Sequence, residues 1–220
     1  MDFEVARARL AERLAGEIRD RRVLAAIARV PRERFVPPES EGLAYEDRPL
    51  AIGYGQTISQ PYIVALMTEK LELTGGEKVL ELGTGSGYQS AILAELARQV
   101  VTTERLPALA EAAERTLRSQ GYGNITLCRA EEVLGWRREA PYDAIIATAG
   151  VPDVPGELVD QLAIGGRLVI PVGSRQLQEL CRVTRRGDGN EIEKLGACRF
   201  VSLIGRGAWP TESVRPDEAA

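Results

Sequence analysis

Apolar residues recur at helical spacing over residues 2 to 16, where Val5, Leu10 and Leu14 share a face, and again over 18 to 30, with Ile18, Val23, Ile27 and Val30. The prolines of VPRERFVPPES then end the pattern, which predicts a small helical cap over residues 1–45. From residue 78 the texture changes. Short apolar runs (KVLELG, VVTTE, ITLCRA, YDAIIATAG, GRLVIPVG) alternate with helical stretches through YQSAILAELAR, through PALAEAAERTLRSQ and around GELVDQLA. Strand and helix alternating at this interval predict an α/β fold, a parallel sheet covered on both faces. Two further runs, LQELCRVTRR and EIEKLGACRFVSLI, are joined by GDGN, a hairpin signal, so the sheet is expected to finish with antiparallel strands. No internal repeat is visible. The final PTESVRPDEAA has almost nothing to bury and is expected to be disordered.

At 220 residues, 44% of them hydrophobic, the chain suits one sizeable core better than two. We therefore expect a single domain over 1–220, with the cap at 1–45, a core at 46–209 and a tail at 210–220. Lys and Arg number 28 against 32 Asp and Glu, a net charge of −4, which argues against a surface that tracks nucleic-acid phosphates. The arginines at 7, 9, 13, 19, 21 and 22 are read as solvated helix faces. Cys128, Cys181 and Cys198 are widely spaced and odd in number, so they predict buried thiols and neither a disulfide framework nor a metal site. The charged, amphipathic start does not read as a signal peptide, and no run reaches the ~20 apolar residues of a membrane span. A cytoplasmic monomer is expected, with no membrane partner. The composition also contains no histidine, so the chemistry must proceed without an imidazole.

Two loops carry the candidate chemistry. ELGTGSG follows the first parallel strand, where a glycine loop entering a helix lets a ligand approach the backbone. Its glycines, Gly83, Gly85 and Gly87, are spaced G-x-G-x-G, one residue tighter at the end than the dinucleotide fingerprint. Glu81 stands two residues before the first of them, where a carboxylate repels a pyrophosphate and complements a cation. The next strand ends in Glu104, 21 residues after Gly83, suited to accept hydrogen bonds from both hydroxyls of a ribose. A cation carrying a ribose is S-adenosylmethionine. The second loop, AIGYGQTISQP at 51 to 61, is rich in glycine, hydroxyls and amides. In one reading Thr57 or Ser59 caps the helix expected from Pro61 onward; in the other they are ligand donors.

EDRPLAIGYGQTISQPYIVALMTE, VLELGTGSGYQSAIL, APYDAIIATAG, GGRLVIPVG with the QEL that follows, and FVSLIG together resemble the protein-L-isoaspartate O-methyltransferase family from about Arg32 to about Trp209. The resemblance implies the class I S-adenosylmethionine-dependent methyltransferase (Rossmann-like) fold, with a mostly parallel seven-stranded sheet. It implies an enzyme that methylates the α-carboxylate of L-isoaspartyl residues in damaged proteins, leading through a succinimide back to aspartate. Ser59 is the implied active-site serine. Thr57, Ile58, Glu81, Gly83, Thr84, Gly85, Ser86, Gly87, Glu104, Ala130, Glu131 and Gln178 are the implied cofactor contacts, and Thr57, Ser59 and Val172 the substrate contacts. The chain departs from the family at two places. Ala130, Glu131 and Glu132 stand where Gly-Asp-Gly is usual, before Gly135 and Trp136, and Ser202 stands where proline is usual. The first departure puts cofactor affinity in question. The rival readings are a carboxyl methyltransferase for aspartate in a dedicated peptide and a non-catalytic binding module. ATAGVPD after the fourth strand lacks the Asn-Pro-Pro-aromatic cluster of base-amino methylation, which weighs against a nucleic-acid substrate.

Overall fold

Asp2 and Asp20 start the two N-terminal helices, each accepting a backbone N–H of the first turn with its carboxylate: Val5 N at 3.2 Å and Arg22 N at 2.8 Å. These helices, α1 (Phe3–Leu14) and α2 (Arg21–Arg29), open the computed structural model, which describes residues 2–210. Two short 3-10 turns, Arg32–Phe35 and Pro38–Leu43, lead to β1 (Leu50–Gly53), β2 (Gln56–Ile58) and α3 (Pro61–Lys70). Then follow β3 (Lys78–Leu82), α4 (Tyr88–Ala94), β4 (Gln99–Glu104), α5 (Pro107–Ser119), β5 (Ile125–Arg129), β6 (Tyr142–Ala147), α6 (Gly156–Val159), β7 (Leu162–Gly173), β8 (Gln178–Arg186) and β9 (Gly189–Cys198).

Seven strands form one sheet in the order β5-β4-β3-β6-β7-β8-β9, the first five parallel and the last two antiparallel, as expected. Strand order reverses at β3, which lies between β4 and β6. In open α/β sheets that switch point is where ligands sit. One buried cluster joins Val79, Val100 and Ile146 of the sheet to Leu10, Leu14, Val23 and Ile27 of the N-terminal helices, while a second gathers Leu80, Val101, Ile145 and Leu168. The neighbours Val79 and Leu80 fall in different clusters because successive side chains of a strand point to opposite faces.

Four expectations are corrected. The helix around GELVDQLA is only Gly156–Val159, because the Gln161 side chain turns back to bond Leu134 O, Glu157 O and Trp136 N, and β7 starts at once. The last strand ends at Cys198, and FVSLIG leaves the sheet to lie against Gly150. The QTI stretch is a strand of the β1–β2 hairpin, turned by Gly53, Tyr54 and Gly55, all at positive φ. Several N-terminal arginines are structural ties: Arg7 donates to Arg29 O at 2.6 Å, Arg13 to Tyr45 O at 2.7 Å, and Arg22 to Leu73 O. Residues 211–220 of the expected tail lie outside the described residues.

Candidate active site

Glycine at position 83 is dictated by space as well as by backbone. Its φ is 94°, and a Cβ there would stand 2.5 Å from Thr148 Oγ1. That hydroxyl, just beyond β6, donates toward Leu82 O and Gly83 O at 3.0 and 2.7 Å and so fastens the loop to the neighbouring strand. The loop's other side is held by Glu104 at the end of β4. Its Oε2 accepts from Gly85 N at 2.9 Å, and its Oε1 from Arg105 N and Leu106 N at 2.8 and 2.9 Å. A carboxylate offers about four acceptor sites, so roughly one, on Oε2, is left for a ligand hydroxyl. This narrows the expectation that Glu104 takes both hydroxyls of a ribose.

The β1–β2 hairpin brings the second loop to the same place. Asp47, from well upstream, takes the capping role at α3: it accepts Tyr62 N at 2.8 Å and Gln60 Nε2 at 3.0 Å. The capping reading of Thr57 and Ser59 is thereby excluded, and α3 has no cap bond from its own N-cap residue, Gln60. Among the described residues nothing engages either hydroxyl. Ile58 between them is buried and anchors the hairpin to the core, while Thr57 is exposed and Ser59 half-buried.

Three adjoining cavities open here, and Thr57 and Thr148 line all of them. The first lies over the carboxyl ends of β3 and β4, bounded by Gly83, Gly85, Glu104, Leu106, Ala130 and Glu131. Glu131 is tied at the surface to Arg138 at 2.7 Å, and Arg138 stacks 4.8 Å above the Trp136 ring, so one oxygen of this unusual residue is already engaged. The second cavity is walled by Pro49, Ser59, Gln60, Cys198, Arg199 and Phe200. The third, beneath the hairpin, includes Ile58, Ser59, Thr84 and Ser86.

Four expected contacts line none of these cavities. Glu81 is fully buried behind the loop; Ser90 Oγ donates to one carboxyl oxygen, and the other has no partner among the described residues. Burial pushes its carboxyl up to about 8, against the opposing hydrogen bond of Ser90, so at neutral pH it is mostly protonated. It does not present the exposed anion expected of it. Gly87 caps α4 at φ 90°, and its missing side chain admits Leu117 of α5, which would lie 3.2 Å from a Cβ. Gln178 is spent on structure, donating to Ser174 O and accepting Phe200 N at 2.8 Å. Val172 is half-buried and pairs with Val151.

Sequence reading missed Thr148, Gln56, Leu134, Val201 and Arg199, all of which line the cavities. The position of Thr148 beyond the strand that borders the switch point was the one available signal. Residues 199–204 arrive by leaving the sheet, which no local pattern announces. Ser202 also finds a reason there: its Oγ accepts Arg175 Nη1 at 3.2 Å. The backbone bonds of its bridge run from Gly150 N to Val201 O and from Leu203 N to Gly150 O, so Ser202 contributes no N–H to them and proline is equally compatible.

Residues 8–208 match the family model described as protein-L-isoaspartate(D-aspartate) O-methyltransferase. The chain is 53% identical over 215 residues to a protein-L-isoaspartate O-methyltransferase of Geobacter metallireducens, covering 96% of this chain and 100% of that one. It is 53% identical to another of that name from Dictyoglomus thermophilum, over 94% of this chain and 95% of that one. A solved protein-L-isoaspartate O-methyltransferase superposes with TM-score 0.82 at 29% identity, over 92% of this chain and 67% of that one. A structure from Plasmodium falciparum, in complex with S-adenosyl-L-homocysteine, superposes with TM-score 0.80 at 26% identity, over 90% of this chain and 98% of that one.

Proposed function

Because this chain belongs to the protein-L-isoaspartate (D-aspartate) O-methyltransferase family, we propose that it methylates the α-carboxylate of L-isoaspartyl residues in damaged proteins and peptides, with S-adenosylmethionine as methyl donor. The observation that carries this reading is the placement of two unengaged hydroxyls side by side: Thr57 lines both the glycine-loop cavity and its neighbour, and Ser59 lines that neighbour.

The residues of the first cavity fit the cofactor by their chemistry. Glu104 keeps an acceptor site for a ribose hydroxyl, and Leu106, Val133 and Leu134 offer apolar flanks to a purine. When bound, S-adenosylmethionine supplies an electrophilic methyl group on a positively charged sulfur. The acceptor, an α-carboxylate, is already ionised at neutral pH and needs no general base. The absence of histidine is then no obstacle. Ser59 donates to one carboxylate oxygen and orients the other, Thr57 closes the wall between the two ligands, and the hairpin excludes water. No covalent bond to the protein forms. Once released, the methyl ester is attacked by the neighbouring backbone nitrogen. Methoxide leaves and takes the nitrogen's proton as methanol, and the resulting succinimide opens with water to aspartate or isoaspartate.

On this reading the enzyme works as a cytoplasmic monomer on protein substrates; its net charge of −4 supports the choice of substrate alone, since it favours neither nucleic acid nor anionic membranes as partners. The deciding experiment supplies labelled S-adenosylmethionine with two peptides that differ only in L-isoaspartate against L-aspartate. The expected result is a base-labile methyl ester on the isoaspartyl peptide alone. Equal labelling of both, or of neither, would overturn the proposal.

A further inference from the structure

Arg32 is among the largest side chains of the molecule to be completely buried, and no carboxylate among the described residues lies within ion-pair distance of it. Its Nε donates to Ala44 O at 2.9 Å and its Nη2 to Ser59 O at 2.8 Å, while the guanidinium lies 4.8 Å from the centre of the Tyr88 ring. Nη1 finds no acceptor among the described residues. Burying an unpaired cation is costly, and burial lowers the affinity of this guanidinium for its proton. A merely space-filling role would be met better by an apolar side chain. What a guanidinium offers is a planar fork that reaches two carbonyls from one rigid group. Here one of them belongs to the residue whose hydroxyl faces the substrate cavity.

Fixing that carbonyl fixes more than one atom. The Ser59–Gln60 peptide is trans and planar, so with its C=O turned inward to Arg32 its N–H is directed to the opposite side. The Cα of Ser59, and with it the origin of the hydroxyl, is set by the same plane. We propose that Arg32 is a positioning residue for methyl transfer, locking the Ser59–Gln60 peptide so that the Ser59 hydroxyl is presented to the substrate carboxylate. The inference rests on the role of Ser59 given above.

A double-mutant cycle tests it. R32K keeps the charge and the stem but loses the fork, and R32Q keeps a donor without the charge. Each is measured alone and in an S59A background, with a melting curve for every variant. In the wild-type background R32K and R32Q should lower kcat roughly tenfold, as expected for a lost charge-assisted hydrogen bond, with cofactor affinity unchanged. In the S59A background the same substitutions should change kcat by less than about twofold, since there is no hydroxyl left to position. Equal losses in both backgrounds would assign Arg32 to packing and overturn the proposal, as would wild-type kcat in R32K. Loss of cooperative melting in both Arg32 variants would assign it to the fold and overturn the proposal likewise. A crippled S59A beside an intact R32K removes this inference alone; an intact S59A removes the reading of Ser59 and this inference together.

Discussion

The Ser59 hydroxyl has no partner among the described residues, and the helix that follows it is capped by Asp47 instead. Ser59→Ala should therefore leave folding and cofactor affinity nearly intact while raising the barrier to methyl transfer by about 1–3 kcal/mol, the usual worth of one donor to a reacting oxyanion. Steady-state kinetics beside calorimetric titration of the cofactor would check both halves; abolished turnover or lost cofactor binding would contradict this role. The places of Ser59, Thr57 and Glu104 beside the cavities were legible in the sequence because all three sit inside local motifs. Glu81 was not. From the chain alone its carboxylate and that of Glu104 look equally available, yet one lies behind the glycine loop against Ser90 and the other at a strand end facing the cavity. The side of the loop on which each lands, which decides between them, is a property of packing.

The glycine loop works as a unit with the end of β6. Gly83→Ala would force a left-handed backbone on a residue with a side chain and drive its methyl into Thr148 Oγ1, so it should destabilise the protein by about 2–4 kcal/mol. Adding Thr148→Ala removes the collision but not the backbone strain. Urea denaturation of the two single variants and the double should then show a favourable coupling of about 1 kcal/mol or more, and additive losses would mean that the contact does not limit the loop. At this scale the alternating strands and helices of the core were readable from periodicity. The ends of elements were less so: α6 stops just before Gln161, whose amide turns back to satisfy Leu134, Trp136 and Glu157, a set of partners scattered along the chain. The β1–β2 hairpin was also missed as strands, because its glycines and polar residues carry no apolar run.

Across the whole molecule, one buried carboxyl should leave its own mark on the response to pH. Glu81 has its pKa raised from 4.5 to about 8 by burial. The folded state thus holds this proton more tightly than the unfolded chain. The stability it contributes is complete below about 4.5 and is lost as pH rises through about 8. Urea midpoints taken across that range should fall with pH in the wild type and fall less in Glu81→Gln; parallel slopes would place the titrating group elsewhere. The β1–β2 ribbon bears on a different clock. It hydrogen-bonds to itself and not to the seven-stranded sheet, and a two-stranded ribbon is marginal alone. Its amides should therefore take up deuterium through local opening, far sooner than those of β3 or β6, whose exchange waits on larger excursions. Thr57 stands on this ribbon between the cavities. Filling both should slow deuteration of the ribbon, while β3 and β6 keep their pace, so exchange mass spectrometry would time how long the gate stays shut around its two guests.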